Sequence, residues 1–357
     1  MRLELLRNLS EAHGIPGYEE RIRALVIPEL EAICDEVSVD ALGNVIGIKR
    51  GSGAGNPPER VARRKVMLAG HMDEIGFMVN HISETGFLRL QPLGGFDARV
   101  LIQQRVLVHA RDGKTYRGVL APASKPIHLL DDSDRNKPPQ VAGLFVDLAL
   151  PGARVKELIE VGDMVTLDRS FEEIGDCVIG KAMDDRLSVF VMIEAVRAMR
   201  STACDIYVVA TVQEEVGLRG ATTSAYAIDP DISIALDITL AGDLPGMDEA
   251  SQVTKLGGGT AIKLMDSSLI CHPKLVRAFR DIAEKDNIPH QLEILPRGGT
   301  DAGAMQRTRA GNAAITLSTP TRYVHTVNEM AHKGDIQAGI DLLARVLEQA
   351  HTFDTRL

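Results

Sequence analysis

The chain has 357 residues, 45% of them hydrophobic and 25% charged, ordinary values for a globular protein and long for one core, so two domains are expected. Lysine and arginine number 40 against 49 aspartates and glutamates, a net charge of −9 that argues against a nucleic-acid partner, since no basic stripe answers a phosphate backbone. No run of 18 apolar residues is present to span a membrane, and the opening residues MRLELLR carry Glu and Arg where a signal peptide needs an apolar core. Cys34, Cys177, Cys204 and Cys271 are scattered without a CxxC pair, as expected of thiols in a reducing cytosol, so a cytoplasmic location is expected.

Helical spacing runs over residues 2–13 and 19–35, separated by Gly14, Pro16 and Gly17. Residues 37–39 and 44–48 read as short strands around the turn Ala41-Leu42-Gly43, and residues 51–58 (GSGAGNPP) as a loop. The continuous apolar run 66–69 is of the buried parallel-strand type, and it ends in Gly70 followed at once by His71 and Asp73. From about residue 74 to residue 169 the texture changes to short alternating segments (86–90, 105–110, 117–120) punctuated by Gly94-Gly95 and Asp112-Gly113. This predicts a small β-rich module with a polar loop over 131–140. After Gly180 the α/β texture returns: a helix over 187–199 apolar nearly all round, strands at 206–212, 232–236 and 313–317, and helices over 273–286 and 334–353. Strands alternating with helices predict a doubly wound, mostly parallel sheet interrupted by the β insert, with an α/β domain made of residues 1–73 and 170–357 around an insert of residues 74–169. The excursion from Asp73 to Asp184 is far longer than a βα connection, an independent reason for a module to leave and rejoin the sheet there.

Ligands of open α/β sheets bind just beyond the carboxyl ends of the strands, and chemistry-bearing residues fall there. His71 and Asp73 end one apolar run; Asp184 and Asp185 precede the buried helix; Glu214 and Glu215 follow the run 206–212; Asp237 follows 232–236; His325 comes shortly after 313–317. Taken singly, each of these is as well read as a helix cap, a turn residue or a core histidine. Taken together, five ligand-type groups gather at one rim. Two histidines and three carboxylates suit two divalent ions sharing one carboxylate, and adjacent carboxylates such as Glu214-Glu215 need a neutralising cation. Such two-metal sites activate water for hydrolysis.

The motifs HMDEIG (71–76), KAMDDR (181–186), QEEVGLRGA (213–221), ALDITLAGD (235–243) and RYVHT (322–326), in this order, resemble the TET-type aminopeptidases. These are dinuclear metallopeptidases of the glutamyl, leucyl, lysyl and deblocking kind, some carrying endoglucanase names. GIPGYE (14–19), LGN (42–44), KPIH (125–128) and GGTDA (298–302) match as well, so the resemblance covers nearly the whole chain. It implies a zinc-peptidase-like α/β fold with a PDZ-like insert, and two ions per subunit, zinc or cobalt. It implies that His71, Asp184 and Asp237 hold one ion, and that Asp184, Glu215 and His325 hold the other, with Asp184 bridging. The first aspartate of KAMDDR takes that role because relatives tolerate Asn at the second. Glu214 would be the general base and acid, and Asp73 would orient and tune His71. Asp301, in the Gly-rich loop, is a candidate substrate contact. Short peptides would be the substrates, and dimers would build a dodecamer through the insert, the match weakening over 131–140 and 171–177.

The reaction expected is removal of N-terminal residues from short peptides. A metal-dependent amidase or deacylase acting on small N-acyl compounds would use the same ions. A glycosidase could use Glu214 and Asp73 as its carboxylate pair, but it leaves two histidines and the surplus carboxylates without a role. A metal-stabilised scaffold without catalysis leaves Glu214 unexplained.

Overall fold

The computed structural model describes residues 1–52, 63–125, 127–129, 131 and 137–357; residues 53–58 of the first expected loop and 132–136 of the second lie outside them. The helices Leu3–Glu11 and Glu20–Glu31 lead into two antiparallel strands, β1 (Glu36–Val39) and β2 (Val45–Lys49), and then β3 (Lys65–His71). Six strands follow: β4 (Gly76–Ile82), β5 (Leu88–Leu93), β6 (Arg105–His109), β7 (Thr115–Pro122), β8 (Leu144–Asp147) and β9 (Met164–Leu167). They close a barrel in the order β4-β5-β8-β7-β6-β9, around their own apolar cluster that includes Phe77, Leu90, Val108, Val146 and Val165. The chain then supplies β10 (Glu172–Ile174), β11 (Cys177–Gly180), β12 (Asp205–Thr211), β13 (Ile232–Leu240), β14 (Thr260–Met265), β15 (His290–Ile294), β16 (Ala313–Arg322) and β17 (Glu329–His332).

The sheet runs β1-β2-β12-β3-β13-β16-β17-β11-β10, with β14 pairing both β15 and β16. Its centre is parallel: β12 with β3, β3 with β13, and β13 with β16. The expectation of a mostly parallel sheet is corrected here, because the flanks are antiparallel and the sheet is mixed. The reason lies in short strands such as β17 and β11. They carry too few apolar residues to stand as core runs and join the sheet as returning edges. The central strands behave as their apolar runs predict. In β3 every residue after Lys65 is buried, and in β13 every residue before Leu240 is, so helices cover both faces.

The helix expected over 187–199 is found as Met183–Ala198, and its Leu187, Val189, Phe190, Met192, Ile193, Ala195 and Val196 are buried. Each fully buried Leu, Phe or Ile contributes roughly 1.5–3 kcal/mol, so this helix is held by packing rather than by helix propensity. Its first turn is not helical: Asp184 (φ −77°, ψ 102°) and Asp185 (φ −125°, ψ 29°) leave the spiral, and the peptide bond between them is cis.

Where the barrel meets the N-terminal segment, a hydrogen-bonded row joins the two. The Thr166 hydroxyl on β9 lies 3.0 Å from His13 Nδ1 and 2.9 Å from His109 Nε2, and the two imidazole rings stand 4.9 Å apart. Arg21 approaches His109 Nδ1 at 3.1 Å, and Lys181, Arg186 and Glu74 are the other charged neighbours. Burial first, and then Lys181 with Arg21 for His13 and His13 with Arg21 for His109, push each pKa down to about 3. The unfolded histidines take up protons below their ordinary value of about 6.5, while the folded ones stay neutral until about 3. Stability from this pair is therefore complete above 6.5 and is lost as pH falls from there toward 3. Urea unfolding at stepped pH should show this acid loss, and His109→Gln should flatten the slope over that window. An unchanged slope in the variant would remove the pair from the pH response.

Candidate metal centre

His71 is the last residue of β3, where the parallel register sets it beside Thr211, the last residue of β12. Its Nδ1 lies 3.0 Å from the carbonyl oxygen of Asp73 and 3.5 Å from Asp73 Oδ1. A carbonyl only accepts, so Nδ1 carries the hydrogen and Nε2 is left free to act as a ligand. That nitrogen lies 3.1 Å from Asp184 Oδ1 and 3.9 Å from Glu214 Oε2. The Asp73 carboxylate also accepts the backbone N–H groups of Glu214 (3.0 Å) and Glu215 (3.1 Å). Asp73 thus holds His71 through its carbonyl and the Glu214-Glu215 turn through its side chain.

Asp184 is the hub. Its Oδ1 faces His71, and its Oδ2 lies 3.3 Å from His325 Nε2. Its neighbour Asp185 turns the other way, and Asp185 Oδ2 accepts the His71 backbone N–H at 3.1 Å. Glu215 Oε1 lies 3.3 Å from His325 Nε2, yet it is a buried oxygen without a hydrogen bond. Asp237 lies inside β13 rather than at its end, because the pairing with β16 continues through Leu240. Two groups have ligand atoms within 4.8 Å of one another: His71, Asp184 and Asp237; and Asp184, Glu215 and His325. Asp184 belongs to both. With Glu214 these residues line a cavity of about 540 Å³, which Ile238, Leu240, Leu295 and Arg297 also line.

Asp301 stands elsewhere. It opens the helix Asp301–Gln306, is buried, does not line the cavity, and accepts a hydrogen bond from the Thr211 hydroxyl at 2.6 Å. Gly299 and Thr300 beside it reach the cavity instead.

Several supporting residues escape a reading of the sequence. Glu329, first residue of β17, pairs across the sheet with Gly180 and so lies beside KAMDDR. Its carboxylate accepts the N–H of Asp184 (3.0 Å) and that of His325 (2.7 Å), tying two ligand segments together. Lys181 donates to both oxygens of the buried Glu74, at 2.9 and 2.7 Å, and Arg186 donates to the carbonyls of Leu9, Ala12 and Gly14. The cationic ends of KAMDDR thereby anchor the irregular turn that presents Asp184. The signal for Glu74 was at hand in HMDEIG, but nothing in the sequence marks Glu329.

Electrostatics point the same way. Burial, then Asp237, pushes Asp185 well above the ordinary aspartate value, and burial, then Asp184, does the same to Asp237. Burial also raises Glu214 well above its usual range, with Asp237, Asp301 and Glu215 adding to it against the pull of His71. Glu329 is pushed up to about 8 and Asp301 to about 6, burial being the main cause in both. Burial would raise Asp184 too, but its close contacts with the His325 and His71 imidazoles win and hold it below the usual range. For His325 burial acts downward, and the Asp184 and Glu215 carboxylates overcome it, lifting the imidazole to about 12. So many buried carboxylates around two histidines make a site short of positive charge. An orphaned Glu215 oxygen and mixed N and O donors fit divalent metal ions.

The family model of the M42 glutamyl aminopeptidases matches residues 43–342. The chain belongs to this family. It is 38% identical over 362 residues to the lysyl aminopeptidase of Pyrococcus furiosus, covering 98% of both chains. Among solved structures it resembles an aminopeptidase of the archaeon Desulfurococcus kamchatkensis, with TM-score 0.90 and 39% identity over 99% of this chain and 94% of that one. It also resembles the Pyrococcus horikoshii TET1 peptidase, described as assembling into a tetrahedron or a large octahedral shell, with TM-score 0.83 and 30% identity over 97% and 98% of the two chains. This M42 member is a peptide-bond hydrolase, and its family implies divalent metal ions. Among the described residues no helix is long and apolar enough to cross a membrane.

Proposed function

We propose that this chain is a dinuclear metal-dependent aminopeptidase that removes N-terminal residues from short peptides in the cytoplasm. The observation that carries the reading is the Asp184 carboxylate, with one oxygen toward His71 and the other toward His325, so that two ligand groups meet in one side chain. His71 and Asp237 would complete one site, Glu215 and His325 the other. Two ions held there would supply Lewis acidity and lower the pKa of a shared water. Glu214, which neither ligand group needs, lines the same cavity and would take the proton from the attacking water and return it to the leaving amine. The apolar lining residues Ile238, Leu240 and Leu295 would receive the side chain of the residue removed.

The test is a panel of aminoacyl chromogenic substrates run with metal-free, zinc-loaded and cobalt-loaded protein, with N-acyl compounds alongside. Hydrolysis confined to free-amino substrates and to loaded protein is expected. Preference for N-acyl compounds would favour an amidase, and activity surviving a chelator would favour a glycosidase.

The barrel, within residues 74–169, would be the assembly module of a dodecamer built from dimers. Exposed apolar side chains on it support this, Leu129 and Val161 each being 65% exposed. Light scattering of metal-loaded protein should give about twelve times the chain mass, falling to dimers when the barrel surface is altered. A monomer at micromolar concentration with full metal loading would leave the barrel as a lid over the cavity.

A further inference from the structure

Among the described residues, the apolar cluster of the barrel has one member from outside residues 74–169. Val327, 3% exposed, belongs to the same apolar cluster as Phe77, Leu90 and the other buried side chains of the insert. It lies two residues beyond His325, in the connection from β16 to β17. This connection is conformationally unusual. Tyr323 (φ +59°) and His325 (φ +60°) both adopt left-handed backbone, which non-glycine residues hold only where their surroundings over-determine it. Internal bonds shape it: the Thr326 hydroxyl donates to the Tyr323 carbonyl at 2.6 Å and accepts from the Asn328 N–H at 3.1 Å. Glu329 fixes the His325 N–H from the sheet side. On the barrel side the fixing group is Val327.

The barrel also reaches back. After β5 the chain passes through Gly94 and Gly95, directly over the second ligand group. A β-carbon on Gly95 would come within 3.4 Å of His325 Nδ1, and one on Gly94 within 3.2 Å of Glu215 Oε2. Next in sequence, Phe96 stacks on Phe77 of the barrel core, with ring centroids 4.4 Å apart. The barrel therefore meets the His325 and Glu215 side of the centre twice, through Val327 entering its core and through the glycine pair lying across the ligands. The other group is held differently. His71 and Asp237 stand on β3 and β13, whose apolar residues pack in the core of the large sheet.

We propose that Val327 is a positioning residue that couples barrel packing to the second metal site: it holds His325 in its left-handed conformation, so ion binding by Asp184, Glu215 and His325 depends on the barrel, while binding by His71, Asp184 and Asp237 does not. This rests on the dinuclear reading above. It gives the insert a role within each subunit, separate from any part in assembly.

The experiment is cobalt titration of metal-free full-length protein, following both calorimetric stoichiometry and the cobalt absorption spectrum. Wild-type protein should take up two equivalents. Val327→Ala should weaken the second equivalent at least tenfold, leave the first within about twofold, and change the spectral component that belongs to the second. Val327→Ile should restore both. Val146→Ala, which truncates a β8 side chain of the same barrel core, should leave both equivalents as in wild type. If Val327→Ala does not fold, Val327→Thr, of nearly the same shape, should give a smaller loss confined to the second equivalent. Equal weakening of both equivalents, no weakening in either Val327 variant, or the same effect from Val146→Ala would overturn the coupling. Absence of any cobalt binding by wild-type protein would instead overturn the dinuclear reading on which it rests.

Discussion

Replacing Glu214 by Gln is expected to leave both metal equivalents in place and to reduce turnover by roughly a hundred- to ten-thousand-fold, the usual worth of a positioned general acid–base. Glu214 is in neither ligand group, although its Oε2 comes within 3.9 Å of His71 Nε2. Its backbone N–H is held by Asp73, so the amide side chain would be presented from the same place. What glutamine lacks is the ability to take a proton. Glu215→Gln should behave in the opposite way, since Glu215 lies against His325 and its buried oxygen has no other partner. It should lose one equivalent of metal and recover part of its activity at high metal concentration. Elemental analysis after gel filtration, set beside kcat at saturating metal, separates the two. If Glu214→Gln loses metal and Glu215→Gln keeps it, the roles within the pair are exchanged.

The residues of the two candidate groups were legible in the sequence because of how parallel sheets are built. A strand buried on both faces must be a continuous apolar run, so its end is marked wherever a charged residue interrupts the run. His71 after residues 66–70 and Glu214 after β12 are of this kind. Asp237 shows the limit of the rule, because β13 continues through Ile238 and Thr239 after the aspartate, and the cavity is cut into the strand rather than placed beyond it. The flanking antiparallel strands β11 and β17 were illegible for a physical reason: they are four residues each and half-buried, and their pairing is settled by partners distant in sequence. Glu329 was missed for the same reason, since only the β17–β11 register brings it to Asp184. Asp301 was singled out as a candidate substrate contact, but its neighbours Gly299 and Thr300 line the cavity while the aspartate itself turns to Thr211, and no periodicity foretells that. The left-handed backbone at Tyr323 and His325 was equally hidden, because neither residue type announces it.

Asp184→Ala is expected to abolish paired metal binding, with a larger loss of activity than any single change at His71, Asp237, Glu215 or His325. The reason is that one carboxylate stands between both histidines, 3.1 Å from His71 and 3.3 Å from His325. His325→Ala removes a donor from one group only and should lower one equivalent while sparing the other. Asp184→Ala removes a donor from both, and with it a negative charge that either ion would use. Residues that merely orient metal ligands are worth roughly 10- to 100-fold in affinity, so loss of a shared ligand should exceed that range for both equivalents. The local backbone should survive the change, because the Asp184 N–H remains bonded to Glu329 and the turn remains anchored through Lys181 and Arg186. Asp184→Asn provides the graded case: it keeps an oxygen on one side but loses the charge, so one equivalent should persist with reduced affinity. Equilibrium dialysis against zinc or cobalt, with far-ultraviolet circular dichroism to verify folding, reads out all three variants. Retention of two tight equivalents in folded Asp184→Ala protein would show that the ions do not share this carboxylate, and the two groups would then have to be treated as independent sites.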